Sequence, residues 1–330
     1  MSRVAVLGAG SWGTTLAIHL ARAGHEARLW GNDAAELERM DKRRENVKFL
    51  PSLLLPVGVK VHVELEAALS DSDFTLFAVP SQVVREVANR VAGTAIPVHI
   101  CISASKGFEL SSHLRLSQVL ATLLVHSQVV VVTGPSHAEE VSRGIPTSVV
   151  AASTHEPSAV AVQQLLATAA LRVYTNTDVT GCEVGACVKN VIAIAAGVCD
   201  GVGFGDNTKG ALLTRGLAEI ARLGTAMGGR RETFFGLAGM GDLIATAMSR
   251  HSRNRFVGER LGRGESLAAV LDSMTMVAEG VPAARATRDL GVQHGVELPI
   301  TEQVCALLFE GRSPREALQA LMTRDLRSEA

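Results

Sequence analysis

The sequence predicts an α/β protein in which a mainly parallel sheet covered by helices precedes a second, all-α domain. Three observations support this fold class. Short β-branched runs alternate with helical patterns through the first half of the chain, and beyond about residue 177 Ala- and Leu-rich helical segments replace them. Hydrophobic residues make up 47% of the chain and aromatic residues only 4%, which is typical of aliphatic helices packed on a parallel sheet.

Length and composition narrow the class of protein further. A chain of 330 residues exceeds one ordinary hydrophobic core and fits two domains. The formal net charge of -1 argues against a nucleic-acid-binding protein, which carries a basic surplus.

The five cysteines show neither CxxC spacing nor a disulfide framework, which favours a reduced, cytoplasmic setting. The longest apolar stretch, Val191 to Cys199, is too short for a bilayer, and the N-terminus lacks a signal-peptide layout, so we expect no integral membrane segment.

The strands of the predicted sheet are short runs rich in valine, isoleucine and phenylalanine. Two later runs, "TSVVAAS" and "RVYTNT", extend this sheet to about residue 177. The change in composition near residues 178–184 then marks a boundary between a domain of residues 1–182 and one of residues 183–330. The five earlier runs are "RVAVLG" at 3–8, "EARLW" at 26–30, "FTLFAV" at 74–79, "VHICIS" at 98–103 and "VVVVTG" at 129–134.

A glycine-rich turn joins the first strand to the first helix. In "GAGSWG", Gly8, Gly10 and Gly13 have G-x-G-x-x-G spacing, and the apolar helix "TTLAIHLARAG" follows. Glycines permit a tight turn and a close approach to a pyrophosphate, whose charge the helix N-terminal amides favour. In this strand-turn-helix context the pattern predicts a Rossmann-type dinucleotide-binding domain, and a ligand-free glycine turn is the alternative.

The second strand ends near Trp30, where a residue that contacts the adenosine ribose is expected. "WGNDA" offers Asn32 and Asp33 at this place. A carboxylate here would favour NAD, whereas a nearby arginine would favour NADP. Asp33 is equally suited to capping the helix that follows. The arginines nearby in sequence are too loosely placed to decide, so both cofactors remain open.

Two polar loops follow later strands. "ASKGFE" places Lys106 just beyond the carboxyl end of the sheet, where ligands bind in open α/β folds. "VVVTGPSHAEE" places Gly134, Ser136 and Ala138 at the end of the next strand. Either loop alone also fits ordinary surface chemistry. Because they follow neighbouring strands, we expect both to line one site.

A single charge, Lys189, interrupts the apolar stretch "GACVKNVIAIAAG" at 185–197. In a helix, no acidic residue shares its face at three- or four-residue spacing. Such a lysine snorkels to water, pairs with a distant carboxylate, or stays partly desolvated with a lowered pKa. The last arrangement suits a general base, and this stretch alone leaves all three open.

The segment "GLAGMGDLIATAMSRHSRNRFVG" at 236–258 combines glycines with a polar cluster. Thr246 lies one helical turn beyond Asp242, and Ser252, Arg253 and Asn254 follow. Arginine and asparagine in such a turn can bind a phosphate through the guanidinium, the amide and backbone N–H groups. A solvated charge run is the alternative.

The whole series of motifs resembles the bacterial NAD(P)-dependent sn-glycerol-3-phosphate dehydrogenase family. The resemblance extends from residue 8 to residue 281, and its ordered series is more specific than any single motif. "GNDA" lacks an arginine that some members carry, which leaves NADPH versus NADH open. The matching segments are "GAGSWGT", "RRENVKFLPSLLLP", "SASKGFE", "TGPSHAEEV", "CVKNVIAIAAGVCDGVGFGDNTKGALLTRGLAE", "GLAGMGDLIATAMSRHSRN" and "VAEGV".

The resemblance implies a dinucleotide domain, an α-helical substrate domain and, usually, a homodimer. It also implies interconversion of sn-glycerol 3-phosphate and dihydroxyacetone phosphate with NAD(P)H, which supplies glycerol 3-phosphate for phospholipid synthesis. Hydride would move between C4 of the nicotinamide and C2 of the substrate while Lys189 exchanges the proton on the C2 oxygen. No metal is required.

The resemblance also carries residue roles. Lys189 matches the proton acceptor, and we expect Lys106, Asp242 and Thr246 to complete the catalytic group. Substrate contacts are expected from Lys106, Gly134, Ser136, Lys189, Asp242, Ser252, Arg253 and Asn254. Cofactor contacts are expected from Gly8, Gly10, Ser11, Trp12, Gly13, Asn32, Asp33, Lys106, Ala138, Arg253, Val277 and Glu279.

Two other functions remain as alternatives. One is a Rossmann and helical dehydrogenase that acts on a β-hydroxyacid, which would need a carboxylate clamp in place of "SRHSRN". The other is a non-catalytic dinucleotide sensor, which would tolerate loss of Lys189 and Asp242.

Overall fold

The first half of the chain forms an α/β domain in the computed structural model, which describes residues 1–325 and residue 328. Residues 326, 327, 329 and 330, the end of the predicted second domain, lie outside the described residues. The strands are β1 Arg3–Leu7, β2 Glu26–Trp30, β3 Val59–His62, β4 Phe74–Phe77, β5 Ile100–Ser103, β6 Gln128–Thr133, β7 Thr147–Ala152 and β8 Leu171–Asn176.

The sheet has the order β3-β2-β1-β4-β5-β6-β7-β8. Neighbouring strands pair in parallel except β6 and β7, which are antiparallel. The predicted fold class is therefore confirmed. The order reverses at β1, between β2 and β4, and ligands bind at such a switch point beyond the carboxyl ends of the strands.

Strand β3, "VKVH", is missing from the sequence prediction. It has only four residues and lies at the edge of the sheet, where Lys60 is exposed. A short, half-buried edge strand has no continuous apolar run, so periodicity does not reveal it.

Helices cover both faces of the sheet. On β1, Val4 and Val6 point into one buried apolar cluster, whereas Ala5 and Leu7 point into another. This double burial explains why the strands are continuous apolar runs. The helices of this half are α1 Ser11–Arg22, α2 Ala34–Arg43, α3 Leu65–Leu69, α4 Val84–Gly93, α5 Leu116–Leu123, α6 Ala138–Val141 and α7 Glu156–Leu166.

The described part of the second half is helical. Short helical turns at Arg231–Phe235 and Leu237–Gly241 precede the third of its helices. The helices are α8 Val179–Val202, α9 Asp206–Ala226, α10 Asp242–Met248, α11 Arg253–Gly262, α12 Leu267–Asp272, α13 Gly280–Gln293, α14 Pro299–Phe309 and α15 Pro314–Met322.

Helix α8 forms the centre of this half. Its glycines and those of α11 allow the two backbones to touch, since a Cβ on Gly258 would lie 1.9 Å from the Ile194 carbonyl oxygen. Among the described residues α8 is also the one helix long and apolar enough to cross a membrane, but 94% of its apolar window is buried inside the fold. The length and apolarity of α8 are thus those of a core helix.

The two halves meet where the sheet ends and α8 begins. Strand β8 ends at Asn176 and α8 starts at Val179, within the segment where the composition changes. The division into residues 1–182 and 183–330 stays a prediction, because α8 continues through that point.

Asp178 fixes the start of α8. Its Oδ1 accepts a hydrogen bond from the Gly181 amide at 2.8 Å, and its Oδ2 accepts from the Arg230 amide at 2.8 Å and the Thr233 hydroxyl at 2.7 Å. Asp178→Ala would leave these donors without their acceptor. We expect the free energy of unfolding to fall by about 2–4 kcal/mol, measured by urea denaturation.

Ser266→Ala is the matched control for this prediction. Ser266 caps α12 by accepting from the Ala269 amide at 3.3 Å, but it is exposed to solvent. Its loss should cost less than about 1 kcal/mol. Equal costs for Asp178→Ala and Ser266→Ala would show that Asp178 is only a local cap.

Candidate active site

A cavity of about 540 Å³ opens at the carboxyl ends of the central strands and continues between the sheet and the helical half. It brings together most of the residues that the sequence predicts for the site. Predicted residues on its lining are Gly8, Gly10, Ser11, Trp12, Asn32, Asp33, Lys106, Ser136, Ala138, Lys189, Asp242, Thr246, Ser252, Arg253, Asn254, Val277 and Glu279.

The turn between β1 and α1 forms one wall of the cavity. Gly8 has a φ of 117°, and a Cβ there would lie 2.5 Å from the Ala78 carbonyl oxygen, so this position needs glycine. Gly10 precedes α1, where no side chain caps the helix and the first turn has no acidic residue. The first amides of α1 are therefore free to bind an anion, which fits the pyrophosphate of a dinucleotide.

Two of the predicted glycines do not line the cavity. A Cβ on Gly13 would lie 1.8 Å from the Gly8 carbonyl oxygen, so Gly13 allows α1 to pack against the turn. Gly134 has a φ of 127°, and its carbonyl oxygen accepts from Lys106 at 3.0 Å and from the Ser136 hydroxyl at 2.9 Å. Both glycines thus hold residues of the lining in place without lining the cavity themselves.

Asp33 caps α2, the alternative that the sequence leaves open. Its Oδ1 accepts from the Glu36 amide at 3.0 Å. Lys48 and Phe49 also line the cavity, although they are not among the predicted site residues. Their segment, "RRENVKFLP", belongs to the family resemblance, and this is the one signal that points to them.

Lys189 donates hydrogen bonds to Asp242 Oδ1 at 2.8 Å and to the Thr246 hydroxyl at 2.5 Å. Lys106 donates to Asp242 Oδ2 at 2.7 Å, so one carboxylate holds two ammonium groups. Thr246 also donates to Asp242 Oδ1 at 3.2 Å. Lys189 is only 4% exposed, so it pairs with a distant carboxylate and does not snorkel.

Burial disfavours the charged forms of both Lys189 and Asp242, and the neighbouring charges then oppose or add to that effect. Burial lowers the pKa of Lys189 to about 8; the charge of Asp242 opposes this shift and that of Lys106 adds to it. Burial also disfavours the Asp242 carboxylate, but the charges and hydrogen bonds of Lys106 and Lys189 hold its pKa below the usual range. Lys189 can therefore gain or lose a proton near neutral pH beside a fixed negative charge.

The start of α11 forms the polar end of the cavity. Ser252 caps this helix by accepting from the Arg255 amide at 3.1 Å. Asn254 accepts from the Gly280 amide at 2.8 Å and donates to Asn190 Oδ1 at 2.9 Å, which fixes its amide. Asn190 thus supports this end of the site, and its place beside Lys189 in "CVKN" is the signal that could have found it.

Arg253 provides the positive charge at this end. Its Nη1 donates to the Val277 carbonyl oxygen at 2.9 Å, and burial lowers its pKa, against the opposing charges of Glu279 and Glu139. The remaining N–H groups of the guanidinium form a fork that matches a phosphate.

Glu279 connects the helical half to the sheet. Its carboxylate accepts from the Ser81 amide at 3.0 Å and from the Ser81 hydroxyl at 2.5 Å. Burial raises the pKa of Glu279, against the Ser81 hydrogen bonds and the charge of Arg253. This contact holds the loop after β4 beside Val277 and so closes the cavity between the two halves.

Other residues on the lining were not predicted. They include His137 and His251, whose ring centroids are 6.2 Å apart. Burial lowers the pKa of His137, whose Nε2 lies 3.3 Å from the Ala245 carbonyl oxygen. Among the described residues, no group of three or more His, Cys, Asp or Glu side chains could hold a metal.

A nucleotide-binding switch point, free helix amides and a buried lysine with a lowered pKa define a dinucleotide-dependent oxidoreductase. Residues 3–159 match the family described as NAD-dependent glycerol-3-phosphate dehydrogenase N-terminus, and residues 178–319 match its C-terminus. The chain belongs to the NAD-dependent glycerol-3-phosphate dehydrogenase family.

Relatives of the chain match over nearly all of their length. A glycerol-3-phosphate dehydrogenase (NAD(P)+) of Desulfitobacterium hafniense is 49% identical over 329 residues, covering 100% of this chain and 93% of the relative. A Clostridium perfringens protein of the same name is 46% identical, covering 100% of this chain and 99% of the relative. The crystal structure of glycerol-3-phosphate dehydrogenase from Coxiella burnetii has a TM-score of 0.94 at 36% identity and covers 98% of this chain and 99% of its own.

Proposed function

We propose that the chain interconverts sn-glycerol 3-phosphate and dihydroxyacetone phosphate with NAD(P)+ or NAD(P)H, and thereby supplies glycerol 3-phosphate for phospholipid synthesis. The observation that carries the proposal is the paired cluster of Lys189, Asp242 and Lys106. It lies in one cavity with the free amides of α1 and the start of α11. A bound dinucleotide would supply the hydride.

Proton transfer is the task of Lys189. In the reducing direction its ammonium donates to the C2 oxygen of dihydroxyacetone phosphate, and in the oxidising direction its neutral amine accepts the hydroxyl proton. Asp242 orients Lys189 and offsets the positive charge, while Lys106 holds the other carboxylate oxygen. Thr246 fixes the direction of the Lys189 amine.

Arg253 and the first amides of α11 would bind the substrate phosphate. Asn254 has one amide hydrogen to spare, because its oxygen is used by Gly280 and its nitrogen bonds Asn190. The Ser252 side chain caps α11 and so holds these amides in place. Phosphate binding remote from C2 would hold the reacting carbon against the cofactor.

The family also favours a homodimer, and the five free cysteines favour a reduced, cytoplasmic setting, and both belong to the proposal. Equilibrium sedimentation tests the dimer. Fractionation of the source cells tests the location.

Reduction of dihydroxyacetone phosphate, followed by loss of the near-ultraviolet absorbance of NADH or NADPH, tests the proposed function. Turnover should be fast with this substrate and much slower with unphosphorylated dihydroxyacetone or with β-ketoacids. Faster turnover of a β-ketoacid would favour the alternative dehydrogenase. Cofactor binding without turnover of any of these substrates would favour a sensor.

The lowered pKa of Lys189 predicts opposite pH trends in the two directions. Oxidation needs the neutral amine, so its kcat/KM should rise as pH increases through about 8, whereas reduction needs the ammonium and its kcat/KM should fall. Initial rates between pH 6 and about 10 measure both profiles. Parallel trends in the two directions would exclude Lys189 as the titrating group.

A further inference from the structure

A cation that the sequence does not place there lies beside the adenosine end of the cavity. Arg90 belongs to α4, and Val87, one helical turn before it on this helix, lines the cavity. Its Nη1 donates to Asn32 Oδ1 at 2.7 Å. Asn32 follows β2 at the position expected beside the adenosine ribose. A guanidinium from a neighbouring helix thus contacts the loop after β2, which has no arginine of its own.

The position of Arg90 is fixed by a second contact. Its Cζ lies 4.7 Å from the centroid of the Trp30 ring, and the Trp30 indole donates to the Val63 carbonyl oxygen at 3.0 Å. An arginine over a tryptophan face is held by a cation–π interaction, which leaves the edge of the guanidinium open. Arg90 is exposed, so its unused N–H groups can reach a ligand.

The two acidic residues that follow β2 on the lining are engaged elsewhere, and a third lining carboxylate, Glu86, lies one turn before Arg90 on α4. Asp33 caps α2 through Oδ1, and Glu36 is paired with Arg39. A carboxylate that selects NAD accepts a hydrogen bond from the ribose 2′-hydroxyl, and the cap of α2 leaves Asp33 a single oxygen for this purpose. Lys48 also lines the cavity and adds a positive charge to it.

We propose that Arg90 binds the 2′-phosphate of the adenosine ribose, so that the chain prefers NADPH to NADH. This inference rests on the proposed function only in requiring a bound dinucleotide. The guanidinium fork matches a phosphate dianion, whereas the 2′-hydroxyl of NADH gives it no charged partner.

Binding of two small nucleotides tests the proposal without any turnover. Adenosine 2′,5′-bisphosphate carries the 2′-phosphate and AMP lacks it, and titration calorimetry measures both affinities. The full chain should bind the bisphosphate at least about 10-fold more tightly than AMP. Arg90→Ala should remove most of that difference and leave AMP affinity unchanged, and Arg90→Lys should recover part of it because the charge remains. The control Lys42→Ala removes an exposed positive charge of α2 outside the lining and should preserve the preference.

Steady-state reduction of dihydroxyacetone phosphate gives the second measurement. Arg90→Ala should lower kcat/KM about 10-fold with NADPH and leave it nearly unchanged with NADH. Equal affinity of the unaltered chain for the two nucleotides, or equal losses with both cofactors, would overturn the role of Arg90. Failure of the proposed function is distinct, since it would abolish turnover with both cofactors and leave the nucleotide titrations interpretable.

Discussion

Replacing Lys189 with methionine is expected to lower turnover in both directions by about 10²- to 10⁴-fold. The substitution keeps most of the apolar volume of a side chain that is 4% exposed, but it removes the amine to which we assign the proton transfer. Asp242 keeps Lys106 as a partner at 2.7 Å, so its charge is not left unpaired. Loss of turnover should therefore reflect lost chemistry and not a collapsed site.

Cofactor binding provides the check on this variant. Both tryptophans of the chain, Trp12 and Trp30, line the cavity, so quenching of their fluorescence by NADPH reports binding directly. Its dissociation constant should change by less than about 3-fold in Lys189→Met. The control Lys60→Met alters an exposed lysine on β3 and should retain full turnover. Near-normal turnover in Lys189→Met would remove Lys189 from the proton transfer.

Replacing Asp242 with asparagine should reduce both turnover and stability. Its carboxylate is 1% exposed and is the shared partner of Lys106 and Lys189. Removing one partner of a buried ion pair costs about 3–5 kcal/mol, because the remaining charge stays out of water. Turnover should also fall by about 10²-fold or more, because Lys189 loses the group that orients it.

The pH dependence of Asp242→Asn separates positioning from a merely structural role. In the unaltered chain the Asp242 charge raises the pKa of Lys189, so its removal should move the rising limb of the oxidation profile below pH 8. Between this lowered pKa and the ordinary lysine pKa, Lys189 is deprotonated in the folded variant but protonated in the unfolded chain. The free energy of unfolding of the variant should therefore rise with pH across that window. An unshifted profile would contradict the coupling between Asp242 and Lys189.

Asp200→Asn is the matched control for Asp242→Asn. Asp200 also pairs with two cations, Lys209 at 2.9 Å and Arg255 at 2.6 Å, but its side chain is 20% exposed and does not line the cavity. Water can solvate the cations that remain, so the expected cost is less than about 1 kcal/mol with unchanged turnover. A similar loss in both variants would show that burial is not what makes Asp242 important.

Local pattern was sufficient to predict the alternating strands and helices, because a strand buried on both faces must be a continuous apolar run. The glycine spacing at Gly8, Gly10 and Gly13 predicts the nucleotide turn for a similar reason. Gly8 has a φ of 117°, and a Cβ added to Gly13 would lie 1.8 Å from a carbonyl oxygen, so both positions exclude other residues. Such constraints are local, and a sequence records them directly. Strand β3 lacks a constraint of this kind and was therefore missed.

Pairing between distant residues was decided by the tertiary structure. The sequence shows Lys189 without an acidic neighbour, and the fold supplies Asp242, 53 positions away, at 2.8 Å. Asn32 likewise has no arginine beside it in the chain, and α4 supplies Arg90, 58 positions away. Sequence determines which groups a segment carries and how it folds locally. Only packing determines which of them share a low-dielectric space, and that proximity lowers the pKa of Lys189 and places the Arg90 guanidinium beside Asn32.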